Sequence, residues 1–165
     1  MLSVVGILLI CLSSTALGLY YGNRCARRIS LLLELKRCLT ALRSDIDYAR
    51  YTLSGAFMRL YERGGQFSSF FHDLSCSVEQ NKGLLQSWQD ALDKTDLNPA
   101  DAEIIKSLGQ DLGHIDKEAQ LQAIDHCIQM IDHNIDNLSI QSQKEKKLYR
   151  ELGVLGGLLI VVVLI

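Results

Sequence analysis

The segment LQAIDHCIQMIDHNIDNL, residues 121–138, decides the fold of this 165-residue chain. Its leucines and isoleucines are separated alternately by three and four positions, the spacing of a helix that packs along its length against another helix. No proline or glycine interrupts the sequence from Asp116 until Gly153. We therefore predict one long helix from Asp116 to the carboxyl terminus, which begins in a polar environment and ends in an apolar one.

A second segment, towards the amino terminus, has the same spacing. Its apolar residues are Leu32, Leu35, Leu39, Leu42, Ile46, Ala49 and Leu53. Because this segment follows an apolar stretch and the final helix leads into one, the two are predicted to run in opposite directions and to pair. Short helices are predicted between them at residues 56–63, 67–80, 84–94 and 98–113. No segment alternates with a period of two, so the predicted fold is an all-α helical bundle built on a long antiparallel helix pair.

Both ends of the chain are apolar. Residues 1–23 include about 21 uncharged positions, enough to cross the hydrocarbon core of a bilayer, and are predicted to be a transmembrane helix. A cleaved signal peptide is the alternative, but no basic residue precedes the apolar run. Residues 148–165 are predicted to be a second transmembrane helix, although the apolar part, Leu152–Ile165, is short for a full crossing. Residues 24–147 then form a helical domain between the two.

Charge is distributed unevenly along the chain. Residues 1–43 carry six Lys and Arg against one acidic residue, residues 44–143 carry seven against sixteen, and residues 144–165 carry four against two. The basic residues that flank the predicted spans are Arg24, Arg27, Arg28, Lys144, Lys146, Lys147 and Arg150. Positive residues next to membrane spans favour the cytoplasmic side, so both clusters place the intervening domain in the cytoplasm. The acidity of that domain does not support nucleic-acid binding.

Glycines recur four positions apart in both predicted spans. Gly18 and Gly22 lie in the first span, and Gly153 and Gly157 lie in the second. This small-xxx-small spacing lets membrane helices approach closely, so the spans are predicted to pack on each other or on another membrane protein. The alternative is that glycine is simply common in membrane helices.

Sequence motifs for enzymatic chemistry are absent. There is no GxxxxGK[ST], no GxGxxG after a strand, no GxSxG and no HExxH. The five cysteines are widely spaced without a CxxC pair, which favours neither a disulfide framework nor a zinc site. His126 and His133 share a helix face, but a metal would need further ligands from another element. We predict a protein that is not an enzyme and holds no metal or cofactor.

Three acidic residues form a stripe beside the apolar seam of the final helix. Asp125, Asp132 and Asp136 are separated by seven and four positions, so they lie on one helix face. They lack the enclosed pocket that a catalytic pair of carboxylates needs. Two interpretations remain: a solvated surface, or a docking surface for a basic partner.

Three motifs resemble the stage III sporulation protein AB family of endospore-forming bacteria. They are LRSDIDY at residues 42–48, LGQDLG at 108–113 followed by Asp116 and Gln120, and KLYRELGVLGG at 147–157. The resemblance covers essentially the whole chain, and the closing motif is the most specific part of it. Thr52 is a departure, because a proline is expected at this position in the family.

The resemblance implies a component of the transenvelope complex that joins mother cell and forespore. The family is similar to the F-domain platform proteins of type II secretion and type IV pilus machines, which sit in the inner membrane and contact a cytoplasmic ATPase. The expected partners are the ATPase, which is stage III sporulation protein AA, and other membrane proteins of the complex. Association of the chain with copies of itself as a homo-oligomer is a further alternative. The expected function is a scaffold in the mother-cell (outer forespore) membrane that couples the ATPase to the channel. The alternative is a membrane-anchored sensor or adaptor.

Overall fold

The computed structural model describes the backbone of residues 2–48, 52–80, 83–112 and 116–164, and the side chains of residues 24–48, 52–80, 83–112, 116–145 and 148. All regular structure in these residues is helical, so the prediction of an all-α fold is confirmed. The helices are α1 (Leu2–Asp47), α2 (Leu53–Glu62), α3 (Ser68–Glu79), α4 (Leu84–Leu92), α5 (Pro99–Asp111) and α6 (Lys117–Leu164).

Two compact units divide the chain, one of residues 1–29 and 136–165 and the other of residues 30–135. In the first unit the Sγ of Cys25 donates a hydrogen bond to the backbone oxygen of Leu138 at 3.7 Å, so α1 and α6 lie side by side there. The side chains of the predicted spans, apart from Leu148, lie outside the described residues. Within the part that is described, no helix is both long and apolar enough to cross a bilayer. The transmembrane segments stay a prediction.

In the second unit α1 and α6 run antiparallel. Lys36 contacts Asp132, and Arg43, seven residues later on α1, contacts Asp125, seven residues earlier on α6. Because a seven-residue step forward along α1 matches a seven-residue step backward along α6, the two helices run in opposite directions. The two ends of this unit, Ser30 on α1 and Ile135 on α6, therefore lie at the same end of the helix pair.

An apolar seam joins this antiparallel pair. Four leucines of α1 are at most 1% exposed, namely Leu32, Leu35, Leu39 and Leu42. On α6 the buried positions are Ile124, Cys127 and Ile131. Ile128, which the spacing places in the seam, is only half-buried, and Cys127 is the buried residue between the two isoleucines. The predicted seam is confirmed at these four leucines and Ile46 of α1 and at Ile124 and Ile131 of α6. The other predicted α6 positions, Leu121, Ile128, Ile135 and Leu138, are half-buried, and Ala49 lies outside the described residues.

Helix α1 ends at Asp47, and Leu53 already belongs to α2, so the predicted seam does not continue through a single helix. The Thr52 side chain accepts a hydrogen bond from the backbone N–H of Gly55 at 3.3 Å and caps α2. The predicted start at residue 56 is wrong because Gly55 lies within the first turn. Thr52 has φ −64°, a value that proline also adopts. Threonine therefore has the backbone conformation that a proline would have at the start of α2.

The short helices enclose an aromatic core. Trp88 of α4 is completely buried, and its Nε1 donates to the backbone oxygen of Ile105 at 2.8 Å. Its ring centroid lies 6.1 Å from that of Phe57 and 5.2 Å from that of Phe70. A methyl group at Gly109 would overlap the indole ring. Glycine is needed inside α5 because it lets the ring lie directly against the helix backbone.

Two predicted helix starts are confirmed. The Asn98 side chain accepts from the backbone N–H of Ala100 at 3.1 Å, with Pro99 as the first residue of α5. The Asp116 carboxylate accepts from the N–H groups of Glu118 and Ala119 at 3.3 and 3.4 Å, which begins α6. In α4, Trp88, Ala91 and Leu92 are buried, whereas Leu85 faces solvent. Its side chain is 43% exposed.

Candidate functional site

The predicted acidic stripe lies partly on the face of α6 that meets α1. The Nζ of Lys36 is 2.7 Å from the carboxylate of Asp132, and the Nε of Arg43 is 2.6 Å from that of Asp125. Lys36 and Arg43 are seven residues apart on α1, and Asp125 and Asp132 are seven residues apart on α6. The same contact therefore repeats after two helical turns. The two carboxylates are 44% and 43% exposed. They join the helices and still present one edge to solvent.

Asp136, the third residue of the stripe, belongs to the other compact unit and is exposed. No ion pair is found for it among the described side chains. Docking of a partner on Asp125, Asp132 and Asp136 stays a prediction, with the added fact that two of the three already bind basic side chains of their own chain. His126 and His133 are exposed. In the described part of the chain, no three His, Cys, Asp or Glu side chains converge as metal ligands would.

The LRSDIDY motif at the end of α1 connects three helices. Besides Asp125, Arg43 lies 3.9 Å from Asp47. The Asp47 carboxylate is 3.1 Å from the Nζ of Lys117, which also donates to the Asp47 backbone oxygen at 2.7 Å.

Asp45, in the same motif, is buried and lies 3.4 Å from the Arg59 guanidinium of α2. Its Oδ2 has no hydrogen-bond partner among the described atoms. Breaking this pair would leave a buried carboxylate uncompensated, a costly outcome. The motif therefore fixes where α1 stops and how α2 and α6 attach to it.

The LGQDLG motif makes the equivalent connection at the end of α5. Leu108 and Leu112 are buried, and Gly109 makes room for Trp88. The backbone oxygen of Leu112 accepts a hydrogen bond from the Gln120 side chain at 3.1 Å. Gln120 therefore joins the first turns of α6 to the end of α5.

A buried carboxylate in α5 was not predicted from the sequence. Asp101 is 1% exposed and accepts a hydrogen bond from the Asn134 side chain of α6 at 3.1 Å. It stands in the first turn of α5, where the helix dipole stabilises negative charge. An acidic residue three positions after an Asn cap is an ordinary sign of a helix start, so its sequence context gave no indication of burial.

Among the described side chains, each resolved pKa shift moves the group further from neutral pH. The hydrogen bond and charge of Asp125 raise the pKa of Arg43 above its usual value. Lys94 donates to Asp73 at 2.7 Å and lowers the pKa of that carboxyl. Burial raises the pKa of Cys127 to about 12, so this thiol is protonated and unreactive as a nucleophile. These side chains join helices or fill the core.

A groove on the outer face of α1 is a feature that the sequence did not predict. Its volume is about 530 Å³, and it is lined by Leu33, Lys36, Arg37, Thr40, Ala41, Ser44 and Arg63. Arg37 and Arg63 are exposed, and neither has an ion-pair partner among the described residues. Burial raises the pKa of Cys38 to about 11, and the nearby charge of Arg63 partly opposes this rise. Arg63, at the end of α2, therefore lies near enough to α1 to affect the ionisation of Cys38.

The remaining predicted site residues lie at the two ends of the chain. Arg24, Arg27 and Lys144 are exposed and Arg28 is half-buried. The side chains of the other predicted collar and packing residues lie outside the described residues; these are Lys146, Lys147, Arg150, Gly18, Gly22, Gly153 and Gly157. Their roles stay predictions.

Comparisons with known proteins identify one family. The profile of the family described as stage III sporulation protein AB matches residues 3–165. Stage III sporulation protein AB of Bacillus subtilis (strain 168) is 24% identical over 173 aligned positions, which cover 99% of each chain. A solved structure of a stage III sporulation protein AB is similar with a TM-score of 0.64 at 21% identity, covering 72% of this chain and 98% of that one. At this identity the structural likeness shows a shared fold.

Proposed function

The chain belongs to the stage III sporulation protein AB family, and we propose that it acts as a non-enzymatic membrane scaffold in endospore formation. In this proposal it is part of the transenvelope complex between mother cell and forespore, and it couples a cytoplasmic ATPase to the membrane channel. Residues 1–23 and 148–165 anchor it in the mother-cell (outer forespore) membrane, and the domain between them faces the cytoplasm.

The observation that carries the proposal is the antiparallel arrangement of α1 and α6 in the unit of residues 30–135. Since α1 enters and α6 leaves at the same end, both connections to the apolar termini start from one side of the unit. Two connections at one end suit a unit that is attached through two anchors in the same membrane. The short helices α2 to α5 lie in this unit and are available there for a protein partner.

The chemistry of the domain also supports a scaffold. Several of its described ionisable side chains form ion pairs between elements, as Arg43 does with Asp125 and Lys94 does with Asp73. The family is one of sporulation proteins and is not a known enzyme family. If ATP is consumed, the hydrolysing protein is the partner, because the sequence has no phosphate-binding motif.

The test is co-purification of the full-length chain with the ATPase, stage III sporulation protein AA, from sporulating cells in mild detergent. Asp136→Lys reverses the charge of an exposed carboxylate that has no described ion pair, so it should weaken ATPase recovery without altering the fold. Recovery of a kinase or another regulator in place of the ATPase would support the sensor or adaptor alternative. Absence of the ATPase from a folded, abundant sample would contradict the proposal.

Asp125 and Asp132 need a matched control because their replacement also breaks contacts with α1. The pair D125N/D132N removes the carboxylate charges, whereas K36Q/R43Q removes the same two ion pairs from the other side. If the acids dock the ATPase, only the first pair of substitutions reduces its recovery. Equal reductions would mean that the helix pairing matters and that the acids are not a docking surface.

A further inference from the structure

The groove on α1 has the character of a site for an acidic helix. Its α1 lining lies on one helix face from Leu33 to Ser44, over about three turns. Thr40 and Ala41 are small and line its floor, and Arg37 and Arg63 supply two positive charges without described ion-pair partners. Both arginines belong to the unit of residues 30–135, in which acidic residues outnumber basic ones. A local positive groove on an acidic domain selects for a negatively charged partner.

The complementary surface is present on the same chain, at the exposed face of α4. Leu85, whose side chain is 43% exposed, lies on this face together with Gln86 and Gln89. Asp90 and Asp93 follow at the carboxyl-terminal end, and both are exposed. The charge of Asp90 also acts on the neighbouring Lys94, although the two side chains form no described ion pair. Positions 85, 89 and 93 are four residues apart, so they form one continuous strip of the helix surface. An exposed leucine followed by two carboxylates is the pattern that a groove containing Leu33, Arg37 and Arg63 would bind.

We propose that the groove of one copy binds α4 of a second copy. Charge favours this pairing, because two exposed arginines of the groove meet two exposed carboxylates of α4. Apolar contact favours it too, since Leu33 is 40% exposed in the groove and Leu85 is 43% exposed on α4. Within one copy the groove is open, so its own α4 does not fill it.

The geometry has a consequence for assembly. The groove and α4 are two different surfaces, so one contact leaves a free groove on one copy and a free α4 on the other. Such head-to-tail contacts either close into a ring or continue as a chain. A groove of this size makes a weak contact on its own, and confinement of the copies to one membrane raises their effective concentration. The inference concerns contact between copies and does not depend on ATPase coupling.

The test is a charge exchange in the full-length chain, purified in mild detergent and followed by light scattering after size exclusion over a wide range of concentration. The groove variant is R37E/R63E and the α4 variant is D90R/D93R. Each alone should associate at least about tenfold more weakly than the natural chain, because attraction becomes repulsion. Mixed together, the two variants should associate again, since the reversed groove now meets the reversed helix. K106E, on α5 and outside the groove, is the control for reversing a basic side chain elsewhere in the domain.

Restoration in the mixture, with association of each variant alone at least about tenfold weaker than that of the natural chain, supports the proposal. It is overturned if the natural chain is monomeric throughout, or if either variant associates as well as the natural chain. It is also overturned if the mixture does not restore association. Loss of ATPase co-purification in R37E/R63E with unchanged self-association would assign the groove to the ATPase. The fluorescence of Trp88, the single tryptophan, confirms that each variant is folded.

Discussion

Replacing Gly109 with alanine is predicted to destabilise the second unit, although alanine is the better helix former. The added methyl would overlap the Cγ, Cδ1 and Nε1 atoms of Trp88. The indole cannot move aside freely, because it is completely buried and its Nε1 donates to the Ile105 oxygen, one turn before Gly109 on α5. Phe70, with its ring centroid 5.2 Å away, restricts the ring further.

The magnitude follows from three contributions. Overpacking a filled core costs about 1–3 kcal/mol. Displacing the indole from its acceptor adds about 1 kcal/mol for a buried donor left without a partner. The higher helix propensity of alanine offsets about 1 kcal/mol of this destabilisation. The net expectation is a loss of about 2 kcal/mol in the free energy of unfolding, or roughly 10 °C in the melting temperature of a domain of this size.

The assay is urea unfolding of the full-length chain in mild detergent, followed by the fluorescence of Trp88. The control is the same substitution in a W88L background, followed by circular dichroism, where the overlap is removed. There G109A should be neutral or slightly stabilising, because only the helix propensity of alanine remains. The explanation is refuted if G109A leaves the stability of the natural chain unchanged, or if its effect is the same in both backgrounds.

Three smaller effects are predicted. T52A should cost about 1 kcal/mol in urea unfolding because it removes the side-chain acceptor that caps α2, and an unchanged midpoint would contradict the cap. Lys94 lowers the pKa of Asp73 below its usual 3.8. The stabilisation from this ion pair is therefore complete above about pH 4 and is lost as the pH falls through the lowered pKa. Natural chain and K94Q should therefore differ in unfolding free energy at neutral pH and converge in acid, and a difference independent of pH would exclude this pair as its cause. With the pKa of Cys127 raised to about 12 from 9.0, its alkylation at pH 8, measured by mass spectrometry, should be about a thousandfold slower in the folded chain than in urea; equal rates would show that the thiol is not buried.

The sequence predicted the features that depend on local periodicity and on helix caps. The heptad spacing of the leucines on α1 specifies a buried seam because each apolar residue returns to the same face after two turns. Asn98 with Pro99, and Asp116, mark helix starts because their side chains satisfy backbone N–H groups that the helix leaves free. Both kinds of signal lie within a few residues of the feature they predict.

Features that depend on contacts between distant segments could not be predicted in this way. Ser87 is polar, yet it is only 8% exposed because its hydroxyl donates to the backbone oxygen of Gly83. Asp125 and Asp132 have the pattern of a solvated stripe, and only the register of α1 against α6 shows that each binds a base. The groove likewise depends on Arg63, which the turn after α2 brings to the face of α1.

The measurement that tests the account most directly is the accessibility of one cysteine in intact sporulating cells. The five native cysteines are replaced by alanine, and a cysteine is placed at Glu103, an exposed position on α5. We expect this cysteine to resist an impermeant thiol reagent in intact cells and to be labelled after lysis, because the proposed topology places the domain in the cytoplasm. Labelling in intact cells would place the domain on the other side of the membrane, where a cytoplasmic ATPase could not reach it.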